Sequence, residues 1–552
     1  MKRIVAITWL SLFVFSCTNQ SGFLNETSRM VKNTFVWENA NVYFLLTDRF
    51  NNADTTNDFS FDRKQDGGKL RNFQGGDLEG ITQKVQQGYF DELGVNVLWF
   101  SPVMEQIHGF VDEGTGNTYA YHGYWPRDWT SIDPNWGTKK DLKKLVKEAH
   151  QRGIRVMLDV IINHTGPVTP EDSQWPDTWV RTGPQCDYKT KESTISCTLV
   201  ANLPDVKTES NEEVELPDFL IEKWKREGRY EQEVEELDEF FKRTNYPRAP
   251  RFYIIKWLSD LVRELGVDGF RVDTAKHTEA SIWAELYREA NAAFLAWKEE
   301  NPAEVLDDNE FFMVGEVYNY AIGHGMDFPY DDGQTVNFFD NGFNSLINFS
   351  MKYDVTQSPQ KVFERYSDML NGTLKGKTVL NYLASHDDSG SFDRERNEAY
   401  WSATMLMLTP GQAQIYYGDE TGRKLVVPDA VGDAQLRSFM NWDDLENDST
   451  QALLEHWQLL GRFRKRHPAI GAGVHQTLLE NPFSFSRTYV KGGMKDQVLV
   501  VMDYNGQSIP ASGIFEEGEK VIDYYSGKNC TVKDGQLLFE DHSAKVILLE
   551  AE

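Results

Sequence analysis

The sequence predicts an α/β fold: a (β/α)8 barrel with an inserted domain after strand three and an antiparallel β-sandwich at its C-terminal end. Three observations predict it. Eight short apolar runs have the length of buried strands, helix-like segments lie between most of them, and from about residue 471 the pattern changes to strict alternation. The runs are residues 42–46, 95–100, 154–162, 267–272, 311–314, 335–339, 378–383 and 413–417. Helix-like segments include 139–151, 254–265 and 281–299, and Gly94, Gly153 and Gly266 each stand between a helix and the next run. Strands alternating with helices require parallel crossovers. Eight of them over about 400 residues fit a closed barrel, although a doubly wound open sheet shares the alternation.

The interval 165–248 breaks this rhythm. It is loop-rich, holds two cysteines and ends in the acidic stretch EQEVEELDEF, which reads as the solvated face of a helix. The barrel is therefore expected over 35–164 and 249–470, with 165–248 as the inserted domain. The alternating segments FSFSRTYV, QVLVVMDY and KVILLEAE place the sandwich at 471–552.

At 552 residues the chain has material for several domains and a large core. With 57 basic against 85 acidic residues its formal charge is −28, the opposite of a nucleic-acid footprint. At the N-terminus Lys2 and Arg3 precede an apolar stretch, residues 4–15, followed by Ser16 and Cys17. This is the layout of a secretory signal, too short for a membrane span. VFSC resembles a bacterial lipoprotein processing site, with Phe15 in place of the usual small residue. Residues 1–16 are read as the signal and 17–34 as a linker, with any membrane contact made through a lipid on Cys17. The expected location is the periplasm or an outer-membrane anchor. Export permits disulfides; Cys186 and Cys197 are near enough in sequence to pair, which leaves Cys530 single.

The chemistry lies at the ends of the runs. The third ends DVIINH, with Asp159, Asn163 and His164; the fourth ends GFRVDTAKH, with Arg271, Asp273, Lys276 and His277. The fifth ends VGE at Glu316, and the seventh YLASHD at His386 and Asp387. In a barrel these ends converge on one mouth. A single acid after a strand is ordinarily a helix cap or a salt bridge, but four such runs in matching places are not. Arg271 and Asp273, two residues apart, face the same side of a strand, where a guanidinium keeps a carboxylate ionised and oriented. Glu316 among other carboxylates and apolar walls is suited to remain protonated. Two carboxyls so divided, about 5–5.5 Å apart, are the machinery of a retaining glycosidase.

These runs resemble the main sequence regions of glycoside hydrolase family thirteen, the α-amylase family. ANLPD (201–205), GQAQIYYGDE (411–420) and YAYHGYWPRDW (119–129) are similar to further regions of it, and the match runs from about residue 42 to 470. EQIHGF and EAHQRGIR look most like periplasmic bacterial members. The resemblance implies Asp273 as nucleophile, Glu316 as acid/base and Asp387 as transition-state stabiliser, with α-configuration retained. It implies Arg271, His122, His164 and His386 around the reacting glucose, Tyr124 stacked on that ring, and Lys276 with His277 as the α-1,4 version of this region. Ser385 departs from the Asn found in many relatives.

The resemblance also implies Ca²⁺ twice. Asn163, Asp205 and the His277 carbonyl match a site between barrel and insert, and oxygen ligands of this kind suit calcium. The loop DRFNNADTTND with the later QGGD supplies Asn52, Asp54, Asn57, Asp58, Gly75 and Asp77, similar to an N-terminal calcium site of cyclodextrin-forming relatives. Those relatives place an aromatic residue where Ala201 stands, which favours hydrolysis here. The expected protein is an exported, monomeric α-amylase that cuts internal α-1,4 bonds of starch-like glucans or maltodextrins. A transglycosylating relative and a non-catalytic glucan-binding lipoprotein are the alternatives.

Overall fold

The computed structural model describes residues 35–539 and 543–552. The signal, the linker and Cys17 lie outside the described residues. Eight parallel strands close into a barrel: β1 Asn41–Leu45, β2 Val97–Phe100, β3 Arg155–Val160, β4 Gly269–Val272, β5 Phe312–Gly315, β6 Ser345–Asn348, β7 Thr378–Tyr382 and β8 Gln412–Tyr416. Each pairs with its sequence neighbours, and β1 pairs with both β2 and β8, so no edge is left open. Every residue of these strands is buried, as expected where helices cover a parallel sheet.

Local chemistry sets the helix ends. Helix α1 (Leu78–Gln86) begins at Asp77, whose side chain accepts from the Gly80 N–H. Helix α2 (Lys139–Gln151) opens on a reciprocal cap between Thr138 and Asp141. Helix α3 (Pro250–Leu265) has proline in its first turn and stops at Gly266, at φ +73°. There a β-carbon would meet the Trp297 ring at 2.1 Å, so the turn into β4 requires glycine for conformation and for space. Helix α4 (Ala280–Glu300) then packs along α3. No helix among the described residues is long and apolar enough to cross a membrane.

One expected strand is corrected. Residues 335–339 are not in the barrel: Thr335–Val336 pairs antiparallel with Phe328–Pro329, and Phe339–Asn341 is a 3-10 turn. The sixth strand is Ser345–Asn348, paired with β5 and β7. Its sequence, SLIN, is half polar and shows no apolar run, because its polar groups are satisfied inside the barrel. Ser345 donates to Gln412 Oε1 at 2.7 Å, and Asn348 donates to Asn381 Oδ1 at 2.8 Å and to the Tyr366 hydroxyl at 2.9 Å.

Between β3 and α3 the chain forms one two-stranded sheet (Val180–Arg181 with Asp205–Val206), the helices Asp218–Glu227 and Tyr230–Thr244, and a Cys186–Cys197 disulfide. The acidic helix buries Leu237, Phe240 and Phe241 and leaves most of its acids outward, with Glu233 turned in to Arg229. The C-terminal part is a six-stranded antiparallel sheet. A two-stranded sheet, Ile509–Pro510 with Gln536–Leu537, shares its second core through Leu499, Val501, Ile547 and Leu549.

Removing the disulfide (Cys186→Ser with Cys197→Ser) is expected to lower stability by about 3 kcal/mol, the loop entropy returned to the unfolded chain. The denaturation midpoint checks this. An unshifted midpoint would show that the loop is held by other contacts.

Candidate active site

β4 and its neighbours build the site. The register places Arg271 opposite Asp159 of β3 and Val314 of β5. One residue past the paired ends, the Asp273 N–H donates to the Val160 carbonyl and the Glu316 N–H to the Val272 carbonyl, each at 3.0 Å. The ladder thus fixes both backbones before any side chain is placed. Arg271, buried, then joins three carboxyls. Its Nη1 donates to Asp159 Oδ1 at 2.9 Å and to Asp273 Oδ1 at 2.7 Å, and its Nη2 lies 3.0 Å from Glu316 Oε2.

One positive charge among three buried carboxyls cannot support full ionisation. The excess is relieved by protons. Burial pushes Glu316 well above the usual carboxyl range; Arg271 opposes this, and Asp273 and Asp387 push further in the same direction. Burial likewise raises Asp159 to about 7 against the pull of Arg271. Glu316 also accepts from the Thr274 N–H at 2.9 Å. Thr274 is held at φ +49°, a region that a β-branched residue rarely occupies, directly after Asp273.

Asp387, on the β7 loop, is the open member: its side chain is 44 % exposed, against 8 % for Asp273 and 10 % for Glu316. Asp387 is therefore the solvent-facing member, near enough to act on the Glu316 charge, with Asp273 and Glu316 buried behind it. Beside it, burial and the neighbouring Arg437 keep His386 and His122 neutral. His122 Nδ1 accepts from the Tyr124 N–H at 3.0 Å, which leaves the proton on Nε2, free to donate. The Tyr124 ring stacks on His386 at 4.9 Å and its hydroxyl donates to Asp159 Oδ2 at 2.8 Å.

Not every expected contact faces the cleft. Both ring nitrogens of His164 have protein partners, Nε2 with the Tyr124 carbonyl at 3.0 Å and Nδ1 with Asn163 at 3.4 Å, so it braces the Tyr124 loop. His277 Nδ1 meets the Thr194 carbonyl of the disulfide loop at 3.2 Å. Lys276 Nζ lies 5.2 Å over Phe328 and 5.8 Å over the exposed Tyr318.

The structure adds residues that sequence reasoning missed. Trp99 donates to Asp159 at 3.0 Å. Arg437 donates to the His386 carbonyl at 2.9 Å and pairs with Asp433 at 2.7 Å. Lys352 and Tyr382 both donate to Asp388, the residue after Asp387, from Tyr382 at 2.5 Å. Only Asp388 carried a signal, as the second acid of SHDD; Arg437 stands in a loop with no strand end to mark it.

The two calcium sets differ. In the N-terminal loop Asn52 Oδ1 and Asn57 Oδ1 are buried without hydrogen-bond partners, and Asp58 Oδ1 lies 2.9 Å from Asn52 Nδ2. Gly75, at φ +87°, makes room for them: a β-carbon there would stand 2.2 Å from Asn52 Nδ2 and 2.5 Å from Asp58 Oδ1. Unpartnered oxygens in a cradle fit a hard cation. Asp77 and Asp54 shape that loop: Asp77 caps α1 and accepts from the Ala53 and Asp54 N–H groups, and Asp54 accepts from Thr56. The set at the insertion does not fit as it stands. Asp205 Oδ2 lies 2.9 Å from Arg181 Nε, and Asn163 Oδ1 accepts from Thr278 at 3.3 Å. Among the described residues no cluster of three or more His, Cys, Asp or Glu is arranged to hold a metal ion.

Comparison with known proteins agrees with this geometry. Residues 44–473 match the family described as alpha amylase, catalytic domain. The chain is 37% identical over 529 residues to the periplasmic alpha-amylase of Escherichia coli (strain K12), covering 85% of this chain and 72% of that one. It is 26% identical to an alpha-amylase of Streptomyces lividans, covering 84% and 54%. An alpha-amylase from Geobacillus thermoleovorans, solved with acarbose, shares the fold at a TM-score of 0.64 and 20% identity, over 94% of this chain and 99% of that one. The family match spans every barrel strand end that carries an acid, and the chain belongs to the α-amylase family, glycoside hydrolase family thirteen, whose members act on α-glucans.

Proposed function

We propose that the protein is an exported, monomeric, retaining α-amylase that hydrolyses internal α-1,4 bonds of starch-like glucans or maltodextrins. The observation that carries this reading is the Arg271 guanidinium shared by Asp159, Asp273 and Glu316 at the ends of three adjacent strands. Asp273 attacks C1 of the bound glucose as the bond to the leaving oxygen breaks. Glu316, kept protonated, gives that oxygen its proton. Glu316 then takes a proton from water, which attacks C1 and releases Asp273. Asp387, open to the cleft, stabilises positive charge on the ring. His122 and His386 donate to sugar hydroxyls, and Tyr124 lines the same pocket. Lys276, with Tyr318 beneath it, borders the leaving-group side.

The name of the Escherichia coli relative and the disulfide support export. The acarbose bound to the Geobacillus enzyme supports an α-glucan substrate. Ala201, small and exposed, offers no ring for a glucan to wrap around, which favours hydrolysis over cyclisation. Calcium, held by Asn52, Asn57 and Asp58 around Gly75, would stiffen the first barrel loop without taking part in the chemistry.

Maltoheptaose digestion followed by proton NMR tests the mechanism. The first product formed should be the α-anomer, which then mutarotates. Initial β-anomer would mean an inverting enzyme and would overturn the assignment of Asp273 as nucleophile.

A further inference from the structure

We propose that at the junction of barrel and insertion the guanidinium of Arg181 stands where a divalent cation would sit, so that this junction closes without metal. The argument starts from the backbone. Val180–Arg181 pairs antiparallel with Asp205–Val206, and Arg181 is the direct cross-strand partner of Asp205. Asp205 in turn bridges to His164, and the Val206 N–H donates to the Asn163 carbonyl at 2.8 Å. The short ladder therefore ties the insertion to the end of β3, and it delivers Arg181 to this spot by register.

The charges follow. Arg181 Nε lies 2.9 Å from Asp205 Oδ2, a charge contact without hydrogen-bond alignment, and Nη2 bonds to Glu209. Glu279 is brought alongside through Thr208 Oγ1 at 3.3 Å. One cation thus stands among three acids, two of which it touches. Asp205 is 3 % exposed at its side chain and Arg181 15 %, so the pair is shielded from water. A guanidinium suits this place: it is always charged, and its planar fork addresses two carboxylates at once.

A calcium ion would need six to eight oxygens at about 2.3–2.6 Å. The set offers one carboxylate, an Asn163 oxygen already facing Thr278, and the main chain of His277. An ion on Asp205 Oδ2 would also meet the Arg181 charge on the same oxygen, held there by strand pairing. Asp205 Oδ2 also lacks an aligned hydrogen bond, but it faces the Arg181 charge at 2.9 Å; in the N-terminal loop the unpartnered amide oxygens of Asn52 and Asn57 lie beside Asp58, which pairs with no Arg or Lys among the described residues. One bound calcium per chain, at that loop, is the expectation. None of this depends on which carboxyl is the nucleophile.

The test counts ions in the full chain. Wild type, Asp205→Asn and Asp58→Ala are stripped with chelator, reloaded with Ca²⁺, desalted and measured by elemental analysis. Asp205→Asn should retain the wild-type number, and Asp58→Ala should lose one ion. Loss of one ion in Asp205→Asn would overturn the proposal. Wild type gives an answer that needs no variant. Hydrogen exchange of peptides covering residues 180–181 and 205–206 should be the same with Ca²⁺ and with chelator. Protection that disappears on chelation and returns with Ca²⁺ would show a metal at this junction and overturn the assignment to Arg181.

Discussion

Asp273→Asn is expected to lower kcat on starch by about 10⁴- to 10⁶-fold, the range seen when a group that forms the covalent intermediate is removed. A carboxamide has nearly the same shape as a carboxylate but does not form the glycosyl ester. The fold should survive the change. Arg271 keeps Asp159 at 2.9 Å and Glu316 at 3.0 Å, so its charge is not left unpaired. Maltoheptaose binding, read by calorimetry, should remain, because the cleft contacts of His122, Tyr124 and His386 do not involve the substituted atom. A second signature follows from the charges. Asp273 is one of the groups that push Glu316 upward, so the residual activity should lose its alkaline side at lower pH than wild type. A variant that hydrolyses starch within about tenfold of wild type, a barrier change near 1.4 kcal/mol, would remove Asp273 from the chemistry. Wild type and variant equally inactive, with maltoheptaose still bound, would favour the glucan-binding reading of the cleft.

The site was legible where chemistry coincided with periodicity. Asp273, Glu316 and Asp387 each follow an apolar run, and a barrel sends all such ends to one mouth; Arg271 was legible because two residues along a strand means one face. Seven of the eight strands were legible as runs of buried apolar residues. The sixth was not, since Ser345 is satisfied by Gln412 and Asn348 by Asn381 and Tyr366, and apolarity is only one way to pay for burial. The neighbouring run 335–339 misled because β5 is followed by two 3-10 turns and a two-stranded hairpin instead of a full helix, which removed the spacing cue. Arg437 and Lys352 were invisible for another reason. They act through contacts far along the chain, with His386 and Asp388, and a lone basic residue in a loop (Arg437) or in the four-residue helix Met351–Asp354 (Lys352) has no pattern of its own. His164 shows the converse. Its place after β3 suggested a sugar contact, yet whether a ring nitrogen is free depends on neighbours that the sequence does not position.

Glu316→Gln should separate the two steps of the reaction. On starch, activity is expected to fall about 10²- to 10⁴-fold, the usual worth of a positioned general acid. The alkaline limb of the wild-type kcat/KM profile should disappear with it. That limb exists because burial, Asp273 and Asp387 hold the Glu316 proton to a higher pH than an ordinary glutamic acid, and activity drops as the pH rises through that value. The same electrostatics prepares the second step. Once Asp273 is esterified its negative charge is gone, the push on Glu316 weakens, and the Arg271 guanidinium 3.0 Å away favours the carboxylate that must accept a proton from water. A dinitrophenyl maltoside distinguishes the steps, because its leaving group departs without a proton. The variant should form the glycosyl-enzyme from this substrate at a rate near wild type and then stall, giving a burst of one equivalent, whereas starch gives none. Added azide, a nucleophile that needs no general base, should restore turnover on the aryl substrate alone. Equal losses on both substrates, or an alkaline limb that stays in place, would mean that Glu316 does not carry the proton and that another group in the cleft does.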